Sequence, residues 1–491
     1  MKFYIQFFLC GISTGFLFPP FFLIPLGFII FPFLFYLITN KEYIAFSAKK
    51  HFFSGLLYGF GFFSIYLIWI KDPFYIDDLT KNYSLFSYIL IFYCSIYFGT
   101  IFLIMKYIKK KLIKFFVFPI LIVISEFICA NFSYGFPWYS FALVHSIHFL
   151  GTSLVYYVGT YGLSYLTILS FLLPTLFFFK SLKNSKFVYL FLTLLVFLIC
   201  LILYFKYNKK DNIENNFLSI SIVQLSYPLN QFLDEKNKKR KFNEKIDIIK
   251  NDNSDILIFG ENDYPYLINN YDILNLQNII KDEQTVIIGS TRLESTKYFN
   301  SLFMIKNNVA KKFDKKILVP FGEFIPFRSI FNFMEFIGGT EDFSKGNDIR
   351  LIEINNKIKI LPIICYEIIF FWKLIEKKLI STNLIINITN DSWFGDLSGP
   401  YQHFYFSKLR AAEFNKVLIR SSNSGVSGVI DNYGQIVGYI GLKDKQIKQF
   451  KINLDNNKVN YIKLHNYYFL LILLFLFICI FLDRRDGFRK I

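Results

Sequence analysis

Cys365 stands in the string Ile363-Ile364-Cys365-Tyr366-Glu367 and is the only cysteine in the polar stretch from Asn208 to His465. It has no local disulfide partner. The other five, Cys10, Cys94, Cys129, Cys200 and Cys479, lie in or beside strongly apolar segments, where cysteine behaves as a small hydrophobe. A cysteine attacks as its thiolate, and an ordinary thiol titrates near about pH 8.5, so a nucleophilic role at neutral pH needs a neighbouring base or cation. Two charged residues at the ends of strand-like runs could serve. Glu261 follows Ile256-Leu257-Ile258-Phe259-Gly260, and Lys315 precedes Leu318-Val319-Pro320-Phe321-Gly322-Glu323. Taken singly each has a plain explanation: a polar loop start for Glu261, a solvated charge cluster for Lys315 within Lys311 to Lys316, and an inert buried thiol for Cys365. Their shared position at strand ends is what α/β sheets use for sites.

The elements that must position them lie between Asn216 and Val459, where short apolar runs alternate with polar and glycine-containing turns. Leu218–Gln224, Asp255–Phe259, Thr285–Ser290, Ser301–Lys306, Ile358–Ile364, Leu384–Thr389, Val417–Ser421 and Val426–Ile430 are expected as strands. Glu235–Asn251 and His403–Asn415 are expected as helices. That alternation favours an α/β layered domain.

The rest of the 491 residues is apolar in blocks, and 54% of the whole chain is hydrophobic. Phe3–Asn40, Phe52–Ile70, Asn82–Met105, Phe115–Ser125, Phe127–Phe179, Phe187–Phe205 and Leu464–Leu482 contain no Asp, Glu, Lys or Arg. A transmembrane helix needs about 20 apolar residues, so most of these blocks qualify. Pro19-Pro20 should break the first into two short helices. The run resumes directly after the prolines, which argues against a cleaved signal peptide. Dividing Phe127–Phe179 around a loop at Asn131 to Gly151 gives about eight spans in all. Lysine and arginine cluster in the loops at Lys41 to Lys50, Lys106 to Lys114 and Lys180 to Lys186 and in the tail at Arg484 to Lys490, which would face the cytoplasm. The loop Lys71 to Lys81 is charge-balanced and Asn131 to Gly151 lacks basic residues, as translocated loops should. The expected division is a seven-span N-terminal membrane domain over 1–207, an extracytoplasmic catalytic domain over 208–463, and a final span with a basic tail over 464–491. The net charge of +18 fits orientation and a lysine-rich coding bias rather than a nucleic-acid partner. Glu126 is an intramembrane carboxylate, either functional or hydrogen-bonded within the bundle, and Gly55-x-x-x-Gly59 is expected as a close helix contact.

Several strings together resemble the carbon–nitrogen hydrolase (nitrilase) superfamily, and in particular its membrane branch, the bacterial apolipoprotein N-acyltransferases. They are Lys315-x-x-Leu318-Val319-Pro320-Phe321-Gly322-Glu323-x-x-Pro326, Ile364-Cys365-Tyr366-Glu367 and Asn390-Asp391-Ser392-Trp393-Phe394-Gly395. Gly399-Pro400-x-Gln402-His403, Arg410-Ala411-x-Glu413, Arg420-Ser421-x-Asn423-x-Gly425 and, in the membrane part, Gly135-Phe136-Pro137-Trp138 extend the likeness over nearly the whole chain. The resemblance implies a polytopic α-helical membrane domain of eight spans plus a nitrilase-like αββα sandwich outside. It implies Glu261 as general base, Lys315 as oxyanion partner with the backbone N–H of Tyr366, and Cys365 as nucleophile. Glu323 would orient Lys315, with Tyr366 and Glu367 in support. The implied reaction moves an acyl chain from a phospholipid to Cys365 and then to the α-amine of a diacylated apolipoprotein. It needs no cofactor and no metal. The implied setting is the bacterial inner membrane, with the catalytic domain on the periplasmic side of a monomer.

Four positions depart from the family's usual pattern: Phe259-Gly260 replaces Trp-Pro, Asn262 replaces a frequent Thr, Phe313 replaces Tyr, and a tryptophan is missing near Leu233. His403 offers a different catalytic arrangement, a Cys–His pair with Cys365. Two other functions compete: the same triad could serve a membrane-anchored amidase, or a drifted chain could bind lipoproteins without catalysis.

Overall fold

The computed structural model describes residues 1–76, 78, 80–207, 217–227, 234–331, 335, 339, 341–374, 381–454, 471 and 473–478. The chain forms two compact units: Met1–Ile68 with Leu85–Lys210 and Lys463–Ile491, and Trp69–Ser84 with Asp211–Ile462. The substitution expected near Leu233 and the basic tail lie outside the described residues, as does most of the span at Leu464–Leu482.

The first unit is helical. The first apolar block splits as expected, into helices Lys2–Gly15 and Gly27–Thr39 on either side of the prolines. At about 1.5 Å per residue neither reaches across a core of about 30 Å, because a proline pair ends the ladder of hydrogen bonds. Three helical segments are long and apolar enough to cross a membrane, Lys81–Tyr107, Lys111–Asn131 and Phe149–Phe178, or four if the bent pair Ala48–Tyr66 and Ile68–Tyr75 counts as one. The described residues therefore support three to four spans where the sequence suggested eight. Helix Ala48–Tyr66 packs between Lys2–Gly15 and Ser87–Tyr107. A side chain at Gly59 would meet the Ser95 backbone at 2.8 Å, so the expected close contact is real. Glu126 is 2% exposed and fully engaged. It accepts from the Phe141 N–H at 2.8 Å and from the Ser164 hydroxyl at 2.8 Å, which ties helix Lys111–Asn131 to the turn at Phe141–His145. The bland explanation of that carboxylate holds.

The second unit is built on twelve strands. In chain order they are β1 Phe217–Gln224, β2 Ile256–Ile258, β3 Thr285–Glu294, β4 Lys297–Lys306, β5 Val309–Asp314, β6 Ile352–Glu353, β7 Lys359–Ile364, β8 Leu384–Thr389, β9 Val417–Ser422, β10 Ser427–Ile430, β11 Ile436–Ile440 and β12 Gln446–Asn453. They form two six-stranded sheets, β12-β1-β2-β3-β4-β5 and β11-β10-β9-β8-β7-β6. In each sheet the site-bearing centre is parallel, β1 with β2 with β3 and β7 with β8 with β9, and antiparallel strands flank it. Parallel strands buried on both faces are continuous apolar runs. Leu384-Ile385-Ile386-Asn387-Ile388-Thr389 is buried throughout.

Alternation assigns the faces. Val223, Leu257, Phe259, Val286, Ile288, Phe303 and Ile305 pack with Phe242, Ile246 and Ile249 of helix Glu235–Asn251 and with Leu276 of helix Asn270–Ile279. Ser421 of β9 donates to the Ile258 carbonyl of β2 at 3.3 Å, joining the opposite faces of the two sheets. Helix Gly399–Phe414 covers β9 and β10. The result is a helix–sheet–sheet–helix order, as the sequence resemblance implied.

The turn after β2 fits only because residue 289 on β3 has no side chain. The Gly289 N–H donates to the Gly260 carbonyl at 3.2 Å, and the Tyr264 N–H donates back to Gly289 at 3.0 Å. A Cβ at 289 would come within 2.6 Å of the Gly260 oxygen and 2.7 Å of the Glu261 Cα. Gly289→Ala should push Glu261 out of place, with an overpacking cost of about 1–3 kcal/mol and a larger proportional loss of activity. Unfolding midpoints and turnover measured on the same preparation check this; full activity would contradict it.

Candidate active site

Glu261, Lys315 and Glu323 meet in one buried cluster. Lys315 follows β5 and is 1% exposed. Its Nζ lies 2.9 Å from Glu323 Oε1 and 3.3 Å from Glu261 Oε1. Asn300 of β4 donates from one Nδ2 to both carboxylates, at 2.7 Å to Glu261 and 2.8 Å to Glu323. The second oxygen of each is also occupied: Glu261 Oε2 accepts from the Asn390 N–H at 2.8 Å, and Glu323 Oε2 from the Val319 N–H at 2.8 Å. Burial would lower the Lys315 pKa, but the charges of Glu261, Glu323 and Cys365 outweigh it and raise the pKa well above its usual range. Lys315 is thus a fixed ammonium. The charge-cluster explanation fails because Lys311 and Lys312 are the solvated residues of β5, while Phe313 and Asp314 turn inward just before Lys315. Arg292 holds Asp314 through Nη2 at 2.6 Å and Nε at 2.9 Å, and the Lys315 N–H donates to the Asn300 carbonyl at 2.8 Å.

Cys365 ends β7 and begins a 3-10 turn, Cys365–Ile369. Its φ of +50° is left-handed, a conformation that costs a non-glycine residue about 1–3 kcal/mol. Burial is the main influence raising the thiol pKa, followed by the Glu261 charge, while Lys315 pulls it down. The resting group is a protonated thiol that feels both Glu261 and Lys315.

Glu367 and His403 hold the turn from two sides. Glu367 receives both Nη atoms of Arg350 at 2.9 Å each. It also accepts from the Ile364 N–H at 3.0 Å and from the Lys316 N–H at 2.9 Å, so one carboxylate ties the cysteine strand to the lysine segment. His403 Nε2 lies 3.2 Å from the Cys365 carbonyl oxygen, and Nδ1 lies 2.8 Å from Asp391 Oδ1. Arg420 Nη2 closes that group at 2.6 Å from Asp391 Oδ2. With Nε2 against that backbone carbonyl and Nδ1 against Asp391, both ring nitrogens of His403 are engaged, and the ring steadies the Cys365 main chain. Tyr366 stacks edge-on to Phe370 at 5.0 Å. Asn262 has φ of +49°, which an asparagine tolerates, and its Oδ1 accepts from Thr291 at 3.1 Å.

Asn300, Arg350, Asp391 and Arg420 were not singled out as site residues from the sequence. Asn300 had one usable signal, an asparagine inside the apolar strand Phe299-Asn300-Ser301-Leu302-Phe303. Arg350 had none, because its partner lies 17 residues away across a strand.

The two sheets and the buried glutamate, lysine and cysteine define a domain of the carbon–nitrogen hydrolase class, here joined to an apolar helical unit. The carbon-nitrogen hydrolase model matches residues 241–457, and the model of the apolipoprotein N-acyltransferase N-terminal domain matches residues 10–173. An apolipoprotein N-acyltransferase of Rickettsia typhi is 28% identical over 93% of this chain and 90% of its own length. One of Rhizobium rhizogenes is 36% identical over a shorter match, 39% of this chain and 38% of that protein. The solved structure of Nit3 from Saccharomyces cerevisiae, a member of branch 10 of the nitrilase superfamily, superposes with a TM-score of 0.38 at 18% identity, covering 50% of this chain and 92% of that one. The chain is similar to the apolipoprotein N-acyltransferases over nearly its whole length.

Two measurements test this geometry. Because residue 365 is left-handed, Cys365→Gly should be more stable than Cys365→Ala by about 1 kcal/mol, though both lack the thiol. Equal unfolding midpoints would contradict the strain. Asp391 gives the second. Burial would raise its pKa, but Arg420 and His403 hold it at about 2, below the ordinary aspartate range. A depressed carboxylate stabilises the fold above its unfolded pKa, and that contribution, about 2 kcal/mol, should vanish as the pH falls from about 4 to about 2. Asp391→Asn should flatten the acid slope of the unfolding midpoint in that window; parallel slopes would contradict the assignment.

Proposed function

We propose that this chain transfers an acyl chain from a phospholipid, through a thioester on Cys365, to the α-amine of the S-diacylglyceryl cysteine of an apolipoprotein. The observation that carries the mechanism is the fixed Lys315 ammonium between two carboxylates, with the Cys365 thiol in the field of Glu261 and Lys315. As the sulfur attacks the ester carbonyl, the thiol proton passes to Glu261. The oxyanion is met by Lys315 and the Tyr366 N–H, an electrostatic contribution worth about 3–4 kcal/mol per donor. Collapse expels the lysophospholipid alkoxide, which takes the proton from Glu261. The lipoprotein amine then attacks the thioester, gives up its proton to Glu261, and the amide forms as Cys365 leaves and recovers that proton. Glu323 orients Lys315, and Glu367 keeps the lysine segment against the cysteine turn.

Charge-balanced Lys71 to Lys81 is the kind of loop that crosses to the outside, and Trp69–Ser84 groups with the catalytic unit. That supports a catalytic domain on the periplasmic side of the inner membrane, bounded near residues 208 and 463, between seven spans and an eighth. The enzyme works as a monomer.

Purified protein incubated with phospholipid alone should gain one acyl mass on the Cys365 peptide, labile to hydroxylamine, and lose it to a diacylated lipopeptide. Cys365→Ala should gain none. Turnover of a small amide with no acyl mass on Cys365 would favour an amidase and overturn the transferase.

A further inference from the structure

Trp69–Ser84 lies in sequence between the apolar helices Ala48–Tyr66 and Ser87–Tyr107, yet it is part of the catalytic unit. It forms a strap that reaches both walls of the site. On one wall, the Trp69 indole is 3% exposed and donates from Nε1 to Gln402 Oε1 at 3.1 Å. Its ring meets Phe394 edge-on at 4.9 Å, and Phe394 in turn meets the His403 ring edge-on at 5.5 Å. Asp72 lies against Gly395, where any side chain would collide with its carboxylate. His403, beside Gln402 on the same helix, holds the Cys365 carbonyl. On the other wall, Phe74 is 7% exposed and packs on Ile325, with Tyr83, Phe321 and Phe331 around them. Phe321 and Ile325 flank Glu323, whose Oε1 grips Lys315. The Thr80 hydroxyl donates to the Phe74 carbonyl at 2.7 Å and fixes the bend of the strap.

We infer that Trp69 and Phe74 are positioning residues for acyl transfer, so that the site is complete only when a segment of the N-terminal half is seated on the catalytic domain. Trp69 sets Gln402 and Phe394, and through them the imidazole that steadies the Cys365 backbone. Phe74 sets the loop that presents Glu323 to Lys315. Neither touches a reacting atom. Both therefore act on the rate of the chemical step rather than on lipid affinity. The inference rests on Cys365 as the acylated nucleophile.

The test is single-turnover acylation of Cys365 by phospholipid, followed by intact mass on the full-length protein in nanodiscs. Trp69→Phe keeps an aromatic ring against Phe394 but removes the indole donor; Gln402→Leu removes the acceptor. Each should slow acylation at saturating lipid by about tenfold, since small displacements at a reacting centre cost that much or more, while half-saturation stays within about twofold. The double variant should be no slower than the slower single one, as expected for two ends of one interaction. Phe74→Ala should likewise lower the rate with half-saturation unchanged. Wild-type rates in all three single variants, losses confined to half-saturation, or multiplicative losses in the double variant would each overturn the inference. Should Trp69→Phe lower the unfolding midpoint, Gln402→Leu, with the tryptophan in place, carries the same test. Wild-type protein that never acquires the acyl mass would instead overturn the transferase reading.

Discussion

A lysine taken out of water sets the terms for everything around it. An unpaired buried ammonium would lose its proton, so Lys315 needs anions within contact distance. Two carboxylates supply them, and each of those must in turn be satisfied in the same dry space. Asn300, the Asn390 N–H and the Val319 N–H do this. The need propagates outward: Asn300 must sit inside a strand that is otherwise apolar, and the segment after β8 must bring a backbone N–H to Glu261. Glu261, Lys315, Glu323 and Asn300 are, physically, a closed set of charges and donors in which no member can be removed without stranding another.

That set straddles the two sheets. Glu261 and Lys315 extend from β2 and β5 of one, Cys365 from β7 of the other. Glu367 and the Asn390 N–H are among the ties across the seam, the first to the Lys316 N–H and the second to Glu261. Removing Arg350 from beneath Glu367 would leave a buried carboxylate without its counter-ion, a loss of about 3–5 kcal/mol of the kind that breaks such pairs. His403 serves the same end from behind, by its contact with the Cys365 carbonyl.

Much of the catalytic unit was legible because its strands are short apolar runs with sharp polar ends. All eight expected strands appear within a few residues, and helix Glu235–Asn251 begins and ends at the expected residues. β5 was missed because Val309-Ala310-Lys311-Lys312-Phe313-Asp314 is an edge strand whose first four residues are exposed, so it lacks the apolar run that marked the others. Lys315 looked solvated for the same reason, since the carboxylates that bury it lie 8 and 54 residues away. Motif resemblance recovered what local pattern could not. In the membrane unit Pro19-Pro20 separates helices of 14 and 13 residues as expected, and among the described residues three to four segments are long and apolar enough to cross a membrane. The strap at Trp69–Ser84 was seen only as a loop of balanced charge. Its attachment depends on one indole, one phenyl ring and partners more than 200 residues away in the chain.

Because Glu261 and Lys315 ride on one sheet and Cys365 on the other, their alignment depends on the layer where the sheets meet. A slip by one residue along a strand, about 3.3 Å, would part the thiol from both while leaving every hydrogen bond within each sheet intact. The inter-sheet layer near Ile258 and Ser421 is held by side-chain packing and a few cross-links rather than by a ladder. In this architecture the alignment of these three side chains rests on the packing between two slabs, not on the hydrogen bonds within either one.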